Sequence, residues 1–354
     1  MGQAFLNSLR SKSARFILLA VAVLSSSCGG GSSTGSNPSI PAVFSHYHLT
    51  GAVTPFRDPS VMRQNGTYYV FGTDPGIPTS GSLPIVCSQD RVAWTACGFV
   101  FSAIPQWVTQ QVPGVVGLWA PDISYFNGLY HLYYAGSTFG SNTSVIGLAT
   151  NTTLDSSDPN YRWVDQGEVL GSAAADDFNA IDPNILVDAD GTVWLTYGSF
   201  WSGIKQRQID PTSGELLSSN PTVYSLAYRP NAQYDPIEGS SLVHKGNYYY
   251  LFVSFDFCCN TNPYQDNYRI MVGRGASPNG PFTDMNGVDM MQGGGTQLLA
   301  GDNIDWNAPG GQTAYLDSQN GDIIVFHAIH LPDGAAYLFV NSLSWTNDWP
   351  QIQP

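Results

Sequence analysis

Charged side chains are scarce in this chain of 354 residues, where they make up 11% of the sequence against 43% hydrophobic residues. Basic residues are especially few: 13 Lys and Arg face 27 Asp and Glu, which gives a formal net charge of −14. Nucleic acid and anionic membrane surfaces are therefore poor partners, because like charges repel. A neutral polymer such as a polysaccharide meets no electrostatic obstacle.

Helical periodicity is also missing, since residues 46–354 contain no long helical period, no heptad repeat and no low-complexity segment. A second apolar stretch that would suggest a transmembrane helix is absent as well. What is abundant is glycine, with 37 residues, and large aromatics, among them 19 Tyr and 9 Trp. This composition is typical of an all-β chain with many turns and aromatic contact surfaces.

The N-terminal residues form a leader rather than part of the fold. Three basic residues precede an apolar run at residues 16–24, and three serines and Cys28 follow it. This pattern predicts an export signal over residues 1–28, whose apolar run is too short to span a bilayer. Cys28 and the Gly/Ser-rich segment after it resemble a bacterial lipoprotein, which places the protein at the cell surface or outer membrane on a lipid anchor. Ser25 stands where such signals favour Leu, so plain secretion is the alternative.

Only five cysteines are present. An exported protein permits a disulfide between Cys87 and Cys97, which flank a turn. Cys258 and Cys259 are adjacent, and we favour small buried residues over a strained disulfide for this pair. Neither pair has the spacing of a zinc site.

One short phrase, followed by a turn and an aromatic-rich strand, occurs five times. The spacings between copies are 62, 62, 56 and 72 residues, and the copies are Asp58-Pro59-Ser60, Ala120-Pro121-Asp122, Asp182-Pro183-Asn184, Glu238-Gly239-Ser240 and Gly310-Gly311-Gln312. Such a period indicates a supersecondary unit repeated around an axis. Five units of about four strands each predict an all-β, five-bladed β-propeller over residues 45–354, preceded by a Gly/Ser/Pro-rich linker at 29–44.

Three of the five phrases carry a carboxylate at the key position. Equivalent positions of a ring point to the same place, so Asp58, Asp182 and Glu238 are expected to converge. Asp initiates turns well and either Asp could be structural, but Glu is a poor turn former. Two carboxylates across a bond, with a third tuning them, suit glycoside hydrolysis. We assign Glu238 as general acid, Asp58 as general base and Asp182 as the residue that raises the pKa of Glu238 and orients it.

An ordered series of motifs carries a resemblance to a known family over most of the mature chain. The series is RDPS, WAPDI, FGSNTSVIGLATNTTLD, WVDQGEV, NAIDPN, GSFWSGIK, IEGS and FDFCC. It resembles glycoside hydrolase family 43, and within it the endo-1,5-α-L-arabinanases. The resemblance implies a five-bladed propeller, inverting hydrolysis of arabinan, and the same base, modulator and acid at Asp58, Asp182 and Glu238.

Further site residues follow from matching segments of the family. Those predicted to bind substrate are Trp119, Phe139, Asn179, Trp201 and His327. Two departures matter: Arg57 replaces a His common in this branch, and Ala308-Pro309-Gly310-Gly311 replaces a GPGH motif whose His helps hold a channel ion, commonly calcium. Gln312 is the candidate metal ligand, through its carbonyl oxygen, and whether calcium binds is left open.

Two rival functions remain, and we expect a monomer in each case. The first is an exo-acting α-L-arabinofuranosidase or β-xylosidase on the same fold. The second is a non-catalytic glycan-binding propeller, which would be free to lose one of the carboxylates. Arabinan or arabino-oligosaccharide is the expected partner of the favoured enzyme.

Overall fold

The computed structural model describes residues 42–76, 80–260 and 262–354, and their regular secondary structure is mostly β-strand. The predicted leader, Cys28 and most of the predicted linker lie outside the described residues. In the described part, the strands in chain order are β1 (Thr50–Gly51), β2 (Ser60–Gln64), β3 (Thr67–Phe71), β4 (Ser82–Ser88), β5 (Ala93–Phe101), β6 (Leu118–Phe126), β7 (Leu129–Gly136), β8 (Ser144–Asn151), β9 (Val164–Ser172), β10 (Asn184–Val187), β11 (Val193–Tyr197), β12 (Ile204–Ile209), β13 (Tyr224–Ala227), β14 (Ile237–Lys245), β15 (Tyr248–Phe255), β16 (Arg269–Gly275), β17 (Thr296–Ala300), β18 (Trp306–Tyr315), β19 (Ile323–His330), β20 (Ala335–Thr346) and β21 (Trp349–Ile352).

Helical structure is limited to short pieces in the same residues. Two α-helices, α1 (Ala42–Ser45) and α2 (Gln106–Gln111), precede β1 and β6, and single 3-10 turns lie at Pro263–Gln265 and Met290–Gln292. No helix of the described residues is long and apolar enough to cross a lipid bilayer.

The strands form five separate sheets, and each sheet is one blade of a five-bladed β-propeller. Blades two to five are four-stranded antiparallel meanders in chain order: β6–β9, β10–β13, β14–β17 and β18–β21. Blade one has the order β1-β5-β4-β3-β2, in which the short β1 pairs in parallel with β5. The predicted fold is confirmed, because short hairpin connections make each repeat one meander with its first strand innermost.

A belt of buried polar side chains joins the inner strands of successive blades. Each belt residue accepts a backbone N–H from the next blade: Ser60 from Ile123 at 3.1 Å, Asp122 from Ile185 at 2.8 Å, Asn184 from Leu242 at 2.8 Å, and Ser241 from Ala314 at 3.1 Å. The ring closes where β18 meets β2. The belt therefore fixes which residues occupy equivalent positions in the five blades.

The N-terminal segment fastens blade five to blade one. Phe44 and Val43 of α1 are buried among Trp306 and Phe339 of blade five, and the Phe44 and Phe339 ring centroids lie 5.8 Å apart. Burying a side chain such as Phe contributes about 1.5–3 kcal/mol. The predicted boundary after residue 44 is therefore too late, because α1 already belongs to the folded domain.

Both cysteine pairs form disulfides. Cys87 of β4 is joined to Cys97 of β5, and Cys258 is joined to its neighbour Cys259. The prediction that Cys258 and Cys259 pack as small buried thiols was wrong. The pair lies in the loop after β15, where Cys259 is exposed and Cys258 is only half-buried against a hydrophobic cluster that includes Tyr268.

Candidate active site

In or just before the inner strand of every blade, one position has the left-handed backbone conformation. These residues are Asp58, Ala120, Asp182, Gly239 and Gly311, with φ between 41° and 59°. Each lies two positions before a belt residue or, in blade five, before Thr313, which the strand register places at the same position. Left-handed φ is uncommon outside glycine, so its occurrence at Asp58, Ala120 and Asp182 marks a constrained part of the fold.

This equivalence corrects the predicted alignment in blades four and five, where Glu238 and Gly310 were set opposite Asp58. The prediction aligned the blades on the middle residue of each three-residue phrase, which set Glu238-Gly239-Ser240 against Asp58-Pro59-Ser60. In blade one the turn is Asn65-Gly66, with Gly second, whereas the turn between Lys245 and Tyr248 begins with Gly246. Counting instead from the last paired residues before the two turns, Gln64 and Lys245, sets Ser241 opposite Ser60 and therefore Gly239 opposite Asp58.

Glu238 instead shares its blade position with a ring of residues directly before the left-handed ones. The ring consists of Arg57, Trp119, Ile181, Glu238 and Gly310, as pairing with the second strand of each blade shows. Glu238 and the predicted sugar-stacking Trp119 are thus equivalent residues of blades four and two, and both are half-buried. The acid therefore comes from a different layer of the site than Asp58 and Asp182.

Asp58 is held by its own blade and by blade five. Its Oδ2 accepts a hydrogen bond from Thr73 Oγ1 at 2.6 Å, and its backbone N–H donates to His327 Nδ1 at 3.2 Å. His327 Nδ1 also lies 3.4 Å from Asp58 Oδ1. Burial, opposed by Asp58 and reinforced by Arg57, lowers the pKa of His327 to about 4, so the imidazole is neutral at pH 7.

Asp182 interacts electrostatically with both of the other carboxyl groups. Burial, and then the Asp58 carboxylate, raise the pKa of Asp182 to about 7, while the Gly239 N–H opposes this shift. That N–H donates to Asp182 Oδ2 at 3.0 Å. Asp182 is therefore tied to the residue that directly follows Glu238.

Glu238 has a carboxyl that is perturbed by burial and by both other carboxylates. Its pKa is raised well above the usual 4.5, first by burial, then by the Asp182 charge, and to a lesser degree by Asp58. Ser199 Oγ donates to Glu238 Oε2 at 2.5 Å, which lowers the pKa again and leaves Oε1 free to carry a proton. The raised pKa keeps Glu238 suited to donate a proton, as a general acid must.

In blades one, four and five, a hydroxyl or imidazole of the second strand or just after it supports the left-handed residue of the next blade. Thr73 Oγ1 accepts the N–H of Ala120 at 2.8 Å, Ser254 Oγ that of Gly311 at 2.9 Å, and His327 that of Asp58. Blade three has Gly198 at this position, which offers no side chain. Asp182 supplies the missing acceptor for the N–H of Gly239.

Thr73, Ser199 and Ser254 were missed as site residues by the sequence reasoning. Their common signal is visible in hindsight, since Ser or Thr ends the aromatic strand in FGTD, TYGSF and VSFD. The signal is weak by itself, because such residues also end strands for reasons of turn formation.

The predicted substrate-binding residues divide into two groups. Trp119 and Trp201 are half-buried and Phe139 is 77% exposed, so all three have surface to offer a sugar. Asn179 is 3% exposed and bonds Ser144 Oγ at 2.7 Å and Ser141 O at 3.3 Å, while His327 has no exposed area. In this structure Asn179 holds the loop before β8 and His327 holds Asp58, rather than lining the surface.

Gln312, the candidate metal ligand, has both ends of its amide committed. Its Oε1 accepts from Ser254 Oγ at 3.0 Å and its Nε2 donates to the Gly239 carbonyl at 2.7 Å. His327 Nε2 has no hydrogen-bond partner among the described residues, but it carries the ring proton because Nδ1 accepts the Asp58 N–H. Within those residues no three His, Cys, Asp or Glu side chains cluster as a metal site. This arrangement does not fit calcium held by Gln312, since calcium needs several free oxygen ligands.

Comparison with known proteins places this site in a family. The chain matches the glycosyl hydrolases family 43 over residues 53–350, and it belongs to that family of propeller-fold glycoside hydrolases. It is 40% identical over 295 residues to "Extracellular endo-alpha-(1->5)-L-arabinanase 1" of Bacillus subtilis (strain 168), covering 83% of this chain and 86% of that protein. It is 38% identical over 309 residues to "Extracellular exo-alpha-(1->5)-L-arabinofuranosidase ArbA" of Cellvibrio japonicus (strain Ueda107), covering 83% and 85%.

A solved structure of similar shape contains a sugar. The Cellvibrio cellulosa α-L-arabinanase complexed with arabinohexaose matches with a TM-score of 0.77 at 36% identity, over 84% of this chain and 95% of that one. Sequence and shape therefore agree on the same group of glycoside hydrolases.

Proposed function

We propose that this protein hydrolyses internal α-1,5-L-arabinofuranosidic bonds of arabinan with inversion of configuration. The observation that carries the proposal is the mutual influence of three carboxylates at the axis: Asp58 raises the pKa of Asp182, and both raise that of Glu238. Groups whose surroundings push their pKa values apart are the mark of an acid–base pair. Relatives named as arabinanases and a similar structure holding arabinohexaose supply the substrate class.

The two reacting carboxyls act in one step. Asp58, ionised and oriented by Thr73, takes a proton from a water whose oxygen attacks the anomeric carbon. The bond from that carbon to the leaving oxygen breaks, and Glu238 gives its proton to that oxygen. An inverting pair needs about 6.5–9.5 Å between its carboxyls to admit the water.

Asp182 tunes the acid and does not itself transfer the proton. Its carboxylate raises the pKa of Glu238, and its bond to the Gly239 N–H fixes the backbone next to Glu238. A non-catalytic glycan-binding propeller would have no use for a carboxyl kept protonated by two others.

Exo action is the second candidate, and the similarity to the exo-acting Cellvibrio japonicus enzyme favours it specifically. Digestion of linear, debranched arabinan separates the two modes by the products formed at low conversion. Endo cleavage gives a mixture of oligosaccharides and a rapid fall in chain length. Release of a single small product from a polymer that otherwise stays long would support the exo-acting enzyme. If neither the wild type nor Glu238→Gln hydrolyses arabinan, the result would support the non-catalytic glycan-binding propeller.

We also propose that the enzyme is exported and works outside the cell, as the names of two relatives state for those proteins. The predicted leader and Cys28 motivate a lipid anchor on the bacterial surface. Fractionation of cells that express wild type and Cys28→Ser tests it. We expect the wild type in the membrane fraction and the variant in soluble fractions, whereas equal solubility of both would favour plain secretion.

A further inference from the structure

We propose that Gln312 is a positioning residue that holds the general acid Glu238 in register with the rest of the site. The proposal rests on the assignment of Glu238 as acid and adds a residue of blade five to its support. Gln312 has only 2% of its surface exposed, so its amide is shielded from competing water.

The hydrogen bonds of Gln312 end on the residue directly after Glu238. Gln312 Nε2 donates to the Gly239 carbonyl at 2.7 Å, and the Gly239 N–H donates to Asp182 Oδ2 at 3.0 Å. The peptide planes on both sides of the Gly239 Cα are thereby fixed by side chains from blades three and five. The first of these planes contains the Glu238 carbonyl.

Glycine at this position makes such a clamp necessary. Gly239 has φ +59°, the same left-handed conformation that Asp58 and Asp182 adopt in their blades. Glycine visits a wider range of φ and ψ than any other residue, so its own sterics do not maintain this conformation. A side chain has little room here, because a Cβ on Gly239 would lie 3.2 Å from Ser254 Oγ and 3.5 Å from the Gly311 Cα. The bonds to Asp182 and Gln312 supply the missing restraint.

The Oε1 end of the Gln312 amide is connected, through Ser254, to the part of the site that contains Asp58. Ser254 Oγ donates to Gln312 Oε1 at 3.0 Å and accepts the N–H of Gly311 at 2.9 Å. Gly311 packs directly on the base, since a Cβ added to it would lie 2.3 Å from Asp58 Oδ1. One continuous set of buried bonds thus runs from beside the base to beside the acid, with Gln312 at its centre.

The test compares Gln312→Leu with a matched control, Gln206→Leu. Gln206 is also fully buried, and its amide likewise donates to a backbone carbonyl, that of Pro278 at 3.0 Å, and accepts from one side chain, Asn279, at 2.6 Å. It lies in β12, away from the three carboxylates. Both variants are expected to lose thermal stability, because each leaves buried groups unpaired.

Only the Gln312 variant is expected to lose catalysis. We expect its kcat on linear arabinan to fall about 10- to 100-fold with KM little changed, because misplacing a reacting group by about 1 Å costs that much. The basic limb of its pH profile should move to lower pH as Glu238 moves away from the Asp182 charge. Equal kcat and pH profiles for wild type and Gln312→Leu, with only Tm lowered, would overturn the proposal.

Two further variants test the positioning role of Gln312 if Gln312→Leu does not fold. Gln312→Glu has nearly the same shape but can donate to the Gly239 carbonyl only when it is protonated, so its kcat relative to wild type should recover as the pH falls. Ser254→Ala should change kcat in the same direction as Gln312→Leu but less. A Gln312→Glu to wild-type ratio that is independent of pH, or a Ser254→Ala enzyme with wild-type kcat, would count against the clamp. An inactive wild type would instead refute the proposed function itself.

Discussion

The Asp182 carboxylate accepts the backbone N–H of Gly239 at 3.0 Å, and Gly239 is the residue that directly follows Glu238. The modulating carboxylate is therefore connected to the acid through the backbone as well as through its charge. Blade three has Gly198 where blades one, four and five offer a hydroxyl or imidazole, and Asp182 supplies the acceptor in its place. One side chain thus serves the architecture of the ring and the electrostatics of the reaction.

Replacement of either reacting carboxyl should nearly abolish turnover. Glu238→Gln removes the proton donor and Asp58→Asn removes the proton acceptor, and such losses typically cost about 10²–10⁴-fold in rate. Steady-state assays on linear arabinan measure the effect, and circular dichroism with a thermal melt verifies the fold. A variant that keeps wild-type kcat would remove its residue from the assigned role.

Asp182→Asn should impair catalysis and change its pH dependence. Asp182 raises the pKa of Glu238 as a neighbouring negative charge, so a neutral amide lets Glu238 ionise at lower pH. The basic limb of kcat/KM should therefore shift downward, while the Asn carbonyl can still accept the Gly239 N–H. An unchanged or upward-shifted limb would show that Asp182 does not raise the pKa of the acid.

Acid sensitivity of the fold should fall in His131→Phe. His131 is 2% exposed and stacks on Phe126 with ring centroids 3.7 Å apart, and burial lowers its pKa from 6.5 to about 4. A lowered histidine pKa contributes stability that is present above pH 6.5 and lost as the pH falls toward 4. By pH 5 this loss is on the order of 2 kcal/mol.

Phenylalanine keeps the stack and cannot be protonated, so the difference in unfolding free energy between pH 7 and pH 5 should be smaller in the variant. Urea unfolding at both pH values measures it. His327, whose pKa is also lowered to about 4, remains in the variant and leaves part of the slope. Identical pH slopes for wild type and His131→Phe would contradict the assignment.

Chelation should leave the activity unchanged if Gln312 serves the backbone and not a metal ion. Both ends of its amide are already hydrogen-bonded, to Ser254 and to Gly239. Activity and Tm are measured after treatment with EDTA and again after calcium is added back. Activity that disappears on chelation and returns with calcium alone would show that an ion is held by other groups and matters for the reaction.

The repeat made the architecture predictable, because hairpin turns and alternating aromatic strands are local signals that recur at a steady spacing. Asp58 and Asp182 followed directly from the recurring phrase. The register of Glu238 did not, because likeness of the phrases does not show which residues the strand pairing makes equivalent, and the pairing sets Gly239 opposite Asp58. Burial was harder to predict from the sequence. Asn179 and His327 lie in segments that match the family motifs, but both are buried. Val43 is part of the core although its segment has the composition of a linker.

Bonds between blades escape sequence reasoning for the same reason. Thr73 supports Asp58 in its own blade and Ala120 in the next, a relation between residues 47 positions apart. Only the packing of one blade on the next brings these groups together, so no local pattern reveals which serine or threonine will be used.

Proton NMR of the first products from linear arabinan tests the central claim most directly. An inverting enzyme with Asp58 as base and Glu238 as acid forms the β-anomer at the new reducing end before mutarotation mixes the anomers. We predict that β-anomeric signals of oligosaccharides appear first and α-anomeric signals follow. An α-anomer formed first would contradict single-displacement inversion by these two carboxyls.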